Sequence, residues 1–93
     1  MKKYVETGRV VMTRGIQSLA TDNPRVAIGV HAALARFRNG DWGDIPPEDI
    51  RENEIALESG ERLLGSYRAG GTKIWVITEW DHSVTTVLLP EEY

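Results

Sequence analysis

The chain has no cysteine among its 93 residues. That excludes a disulfide framework and any cysteine-ligated zinc site, and it favours a reducing compartment. No apolar run approaches the roughly 20 residues needed to span a bilayer. The opening Met1-Lys2-Lys3-Tyr4-Val5-Glu6 carries two lysines, but no uninterrupted apolar stretch follows, so no signal peptide is expected. Repeats, low-complexity tracts and interdomain linkers are also missing. The expectation is one small soluble domain, residues 1–93, in the cytoplasm.

What is present is an uneven distribution of charge. The net charge is only −3. Residues 1–40 hold seven Lys/Arg against two Asp/Glu, whereas residues 41–61 hold eight acids against Arg51 alone. Those acids are Asp41, Asp44, Glu48, Asp49, Glu52, Glu54, Glu58 and Glu61. Such asymmetry speaks about partners rather than about fold.

Residues 8–13, Gly-Arg-Val-Val-Met-Thr, read as a short strand broken by Gly15, after which residues 16–20 suit a short helix. Asn23-Pro24 is a helix start: the Asn side chain accepts from free backbone N–H groups, and Pro lacks the one it would waste. Val26, Val30, Ala33, Leu34 and Phe37 recur at helical spacing and form one apolar stripe, so the helix is expected to run to about Arg38. Arg36 and Arg38 complement its negative end. Ile45-Pro46-Pro47 opens a second long helix over residues 47–59, ended by Gly60, with Glu48 and Asp49 in the first turn. At about 100° per residue, Ile50, Asn53 and Leu57 share one face, with Ala56 at its edge, while Ile55 points out among the acids. An amide on the apolar face needs partners, so Asn53 is expected to tie its helix to a loop or a sheet edge.

The last third changes period. Residues 62–68, 72–80 and 83–89 are rich in β-branched, aromatic and aliphatic side chains and read as strands. Gly70-Gly71 marks one hairpin turn and Trp80-Asp81-His82 the other. The fold class is therefore α+β in the order β-α-α-α-β-β-β. A three-stranded antiparallel meander is joined by an N-terminal strand, with two or three helices packed on one face.

No constellation for catalysis stands out. His31 has no second ligand at metal spacing, and His82 beside Asp81 and Ser83 matches no triad pattern. The eight acids do not follow a calcium-loop spacing, so no metal or cofactor is expected. Arg51 can pair with Glu48 and Glu54, and Glu58 with Arg62. Each pair is worth only about 0.2–0.5 kcal/mol, which does not account for the acidic excess. Of the three tryptophans, Trp75 reads as core and Trp80 as pointing to the other face. Trp42 suits either a cap on the core or an anchor for a partner.

Gly40-Asp41-Trp42-Gly43-Asp44, Glu48-Asp49, Glu52-Asn53-Glu54, Ala56-Leu57, Gly60-Glu61-Arg62-Leu63-Leu64, Ser66-Tyr67, residues 73–79 and residues 83–93 together resemble a small bacterial family of mobile elements. Its members carry descriptions such as "plasmid-related protein", and some a restriction-subunit name. The resemblance covers residues 40–93 well and the first forty weakly. Trp80 and His82 depart from its pattern. It implies a genomic setting in which small acidic proteins antagonise host defence, as anti-CRISPR or antirestriction proteins do.

The leading expectation is thus a non-enzymatic antagonist of a host defence complex. Its acidic, partly nucleic-acid-mimicking surface comprises Asp41, Trp42, Asp44, Glu48, Glu52, Glu54, Ile55 and Glu58. Its partner is a basic host nucleoprotein or nucleic-acid-binding effector, with no direct contact to nucleic acid and none to membrane. Two alternatives use other features. A RelE-type ribonuclease toxin shares the element order, but such toxins are basic, whereas the pI here is about 5.3. A small DNA-binding regulator would use Arg25, Arg36 and Arg38, without a helix-turn-helix signature.

Overall fold

The computed structural model describes residues 4–93. Lys2 and Lys3, part of the basic balance of the first forty residues, and the start of the opening segment read for a signal peptide lie outside them. Strand β1 spans Arg9–Met12, helix α1 Arg14–Asp22, α2 Pro24–Arg38 and α3 Pro47–Ser59. Strands β2 (Leu63–Ala69), β3 (Thr72–Thr78) and β4 (Val84–Leu88) follow, then a 3-10 turn over Pro90–Glu92. The element order is the expected one, and the fold is α+β.

The start and stop signals of the two long helices act as their chemistry dictates. The Asn23 side chain accepts from Arg25 N at 3.0 Å, and Pro24 opens α2. Gly60 ends α3 in the left-handed conformation, with φ of 78°. Helix α1 is longer than expected. Thr13 caps it by accepting from Ile16 N, and Gly15 N donates to Glu92 Oε2 at 3.0 Å, so the opposite end of the chain completes its first turn.

The sheet order is β1-β4-β3-β2. The meander β2-β3-β4 is antiparallel, and β1 joins β4 in parallel, so the sheet is mixed. Short turns join the antiparallel strands, whereas the parallel neighbours are connected through all three helices, as a parallel pair requires. Strand β3 stops at Thr78, short of Trp80. His82 adopts a positive φ of 57° in the turn, and Asp81 Oδ1 accepts from Ser83 N and Oγ.

One face of the sheet carries Leu63, Tyr67, Ala69, Ile74, Val76 and Val87, all buried against Ile16 of α1 and the stripe Val26, Val30, Ala33, Leu34 and Phe37 of α2. Alternation places Leu64, Ser66, Arg68, Lys73, Trp75 and Ile77 on the other face. There Trp75 is half-buried, edge-on to Tyr93 at 5.8 Å. Trp75 thus lies outside the main core to which the sequence assigned it, and Trp80, 70% exposed, lies beyond the end of β3, where strand parity no longer applies. Helix α3 lies along β2, and its Ala56 reaches the same core. No helix among the described residues is long and apolar enough to cross a membrane.

Candidate partner-binding surface

An edge strand normally presents a row of unpaired backbone groups. On β2 these groups are met by two devices. Asn53 Nδ2 donates to Leu64 O at 2.7 Å, and Asn53 Oδ1 accepts from Leu64 N at 3.2 Å. The amide thus acts as one rung of a missing strand, which fulfils the expected role of Asn53. Two residues on, Ser66 N donates to Trp42 O at 3.0 Å and Asp44 N donates to Ser66 O at 2.7 Å. Gly43 makes that rung feasible: its φ is 76°, and a Cβ would collide with the Ser66 carbonyl oxygen.

These contacts fix how α3 is turned. Asn53 and Ala56 face inward, and the opposite face carries Glu48, Arg51, Glu52, Ile55 and Glu58, all exposed. Ile55 is 66% exposed in the midst of the carboxylates. Among the described residues, Asp44, Glu48, Asp49, Glu52 and Glu58 form no ion pair. The pairs expected for Arg51 with Glu48 or Glu54, and for Glu58 with Arg62, do not form. Arg62 reaches instead to Tyr93, stacking 5.0 Å from its ring centroid and donating to its hydroxyl at 2.6 Å.

Three members of the expected surface do not belong to it. Trp42 is 3% exposed and packs edge-on against Phe37 at 5.4 Å, so it caps the core and is not an anchor. Its indole N–H donates to Glu54 Oε2 at 2.8 Å, which turns Glu54 inward. A buried indole needs an acceptor, and the residue next to Asn53 on α3 supplies it. Asp41 is exposed but spoken for. Arg36 grips it through Nε at 2.8 Å and Nη2 at 3.3 Å, and Gly43 N donates to its Oδ1. The guanidinium hydrogen bond is the main reason its carboxyl lies below the usual aspartate range. Tyr67 donates to Asp41 O at 2.7 Å, and burial pushes its hydroxyl pKa well up.

Asp49 and Glu61, acids not assigned to the surface from the sequence, line a groove of about 420 Å³ between α3 and the start of β2, with Glu52, Asn53, Arg62 and Leu64. Only the docking angle of α3 brings them together. No group of three or more histidine or acidic side chains among the described residues is arranged to hold a metal ion. His82 Nε2 lies 3.1 Å from Glu61 O, and His31 is exposed on α2. Arg25 stands in the first turn of α2, about 16 Å along the axis from Arg36 in the last.

The surface that remains is the outward face of α3, bounded by Asp44 at one end and by the acidic groove along its flank. In comparisons with protein families, curated proteins and solved structures, no match to this chain was found.

Proposed function

We propose that this chain is a non-enzymatic binding protein that docks by the outward face of α3 onto a basic, nucleic-acid-binding surface of a host defence complex. The observation that carries the reading is Ile55, 66% exposed between Glu48, Glu52 and Glu58, whose carboxylates lack an ion pair among the described residues. Unpaired surface carboxylates attract a positively charged groove as phosphates do, and a central apolar side chain supplies area that is dry once docked. Asp44 and the groove acids Asp49 and Glu61 extend the negative field beyond the helix. The mobile-element resemblance of residues 40–93 supports a defence complex as the partner.

The test is affinity capture from a host carrying CRISPR and restriction systems, followed by titration of the captured complex with the purified chain. Binding is expected to weaken steeply as salt rises. Reversing Glu48, Glu52 and Glu58 to lysine should abolish it, and Ile55→Ser should speed dissociation. Full affinity of the triple reversal would refute this surface.

A further inference from the structure

Further along β2 lies a second cleft, of about 400 Å³, whose chemistry is the reverse of the first. Arg36, Asp44, Ser66, Tyr67, Arg68 and Lys73 line it. Two independent features there lack an internal explanation. Arg68 and Lys73 stand directly opposite one another in the β2-β3 register. Because Leu64 and Ser66 turn their backbone groups to the outer edge, Arg68 shares their non-hydrogen-bonded position, where cross-strand side chains approach most closely. Like charges so placed repel. Neither cation forms an ion pair among the described residues; Arg68 spends one donor on Gly71 O, at 3.3 Å. The second feature is Ser66. It is 3% exposed, and its Oγ has no hydrogen-bond partner. Native proteins rarely leave a buried hydroxyl unmatched, and such a group calls for a partner.

An anion in the cleft answers both features at once. It would neutralise the Arg68–Lys73 pair and accept from the Ser66 hydroxyl, with the outward amide of Arg68 as a further donor. Ser66 and Arg68 sit two apart on one strand, and Lys73 lies across on the next, so the donors approach from different directions. That spread suits a tetrahedral oxyanion better than a planar carboxylate, for which one guanidinium fork suffices. Asp44 is exposed at the rim and pairs with neither cation. Arg36 stands at the cleft with part of its guanidinium already given to Asp41.

We propose that this cleft is an oxyanion site that takes a phosphate group through Arg68, Lys73 and the Ser66 hydroxyl. It adjoins the α3 surface at Asp44, but none of its donors belongs to that surface, and it requires no defence partner.

The full chain is titrated in phosphate- and sulfate-free buffer with inorganic phosphate, against chloride at matched ionic strength, following melting temperature and the amide resonances of residues 66–73. Phosphate is expected to give a saturable rise in melting temperature and shifts centred on Ser66, Arg68 and Lys73. Arg68→Gln and Lys73→Gln, both at exposed positions, should each weaken binding about ten-fold or more. Ser66→Ala should fold at least as well without phosphate and bind it less tightly. Arg9→Gln, exposed on β1 at the opposite edge of the sheet, should bind as the parent does. A 5′-mononucleotide run in parallel separates the sources. Tighter binding than inorganic phosphate assigns the site to a phosphate ester, and equal or weaker binding assigns it to the free ion. A response no larger than that to chloride, or one retained in full by Arg68→Gln and Lys73→Gln, would overturn the proposal.

Discussion

Replacing Asn53 by alanine tests how α3 is held to the sheet, and therefore which face it shows to solvent. The side chain is 7% exposed and makes two hydrogen bonds to one residue, donating to Leu64 O at 2.7 Å and accepting from Leu64 N at 3.2 Å. Each bond contributes about 1 kcal/mol net, and Leu64 is only half-buried beside an open groove, so water can meet its freed groups. The expected loss is then about 2 kcal/mol. For a domain of this size that lowers the melting temperature by about 8–16 °C. Hydrogen exchange gives the sharper assay. The Leu64 amide points away from β3 and depends on Asn53, whereas Gly65 points toward β3 and is held by the ladder. Asn53→Ala should therefore deprotect Leu64 while leaving Gly65 protected relative to global unfolding. Asn53→Asp separates the two bonds. An ionised carboxylate accepts from Leu64 N but repels Leu64 O, so its pKa rises on folding, and the variant should recover stability as pH falls and the group becomes a donor. An unchanged melting temperature together with a protected Leu64 amide in Asn53→Ala would refute the reasoning.

Other substitutions probe the same architecture. Trp42→Phe removes the indole donor to Glu54 but keeps the packing on Phe37, so denaturant titration should show a loss of about 1 kcal/mol. Gly43→Ala forces a Cβ onto the Ser66 carbonyl at positive φ and should cost about 2 kcal/mol or more, seen as an earlier urea midpoint. Glu92 accepts from Thr13 Oγ1, Leu89 N and Gly15 N, and these bonds, that with Thr13 foremost, hold its carboxyl below the usual glutamate range. A depressed folded pKa stabilises fully above the ordinary value of about 4.3 and is lost as pH falls through the folded value. Glu92→Gln should accordingly flatten the acid limb of a melting-temperature profile, and an unchanged limb would contradict the capping role.

The long helices were legible because their signals are local. Asn23-Pro24 and Gly60 act within one turn of chain, and apolar periodicity fixes a buried stripe without knowledge of what it meets. Asn53 was legible for the same reason: an amide on an apolar stripe must find partners wherever the helix docks. Ile55 followed from the helical angle alone. The three surface residues that dropped out share the opposite property. Trp42, Glu54 and Asp41 are acid- or loop-borne side chains whose partners (one another, Phe37 and Arg36) are set by how the 41–44 loop folds back on β2.

Sequence by itself determined the element order, the ends of α2 and α3, the inward amide and the outward isoleucine, since each depends on spacing within a few residues. Only the tertiary structure decided that β1 runs parallel to β4, that Glu92 completes the first turn of α1 from 77 residues away, and that Arg62 turns to Tyr93 and not to Glu58. It also brought Arg68 and Lys73 face to face beside an unmatched hydroxyl. Charge and hydrogen-bonding partners are chosen by proximity in space, and strand register sets that proximity between residues that composition and periodicity treat as unrelated.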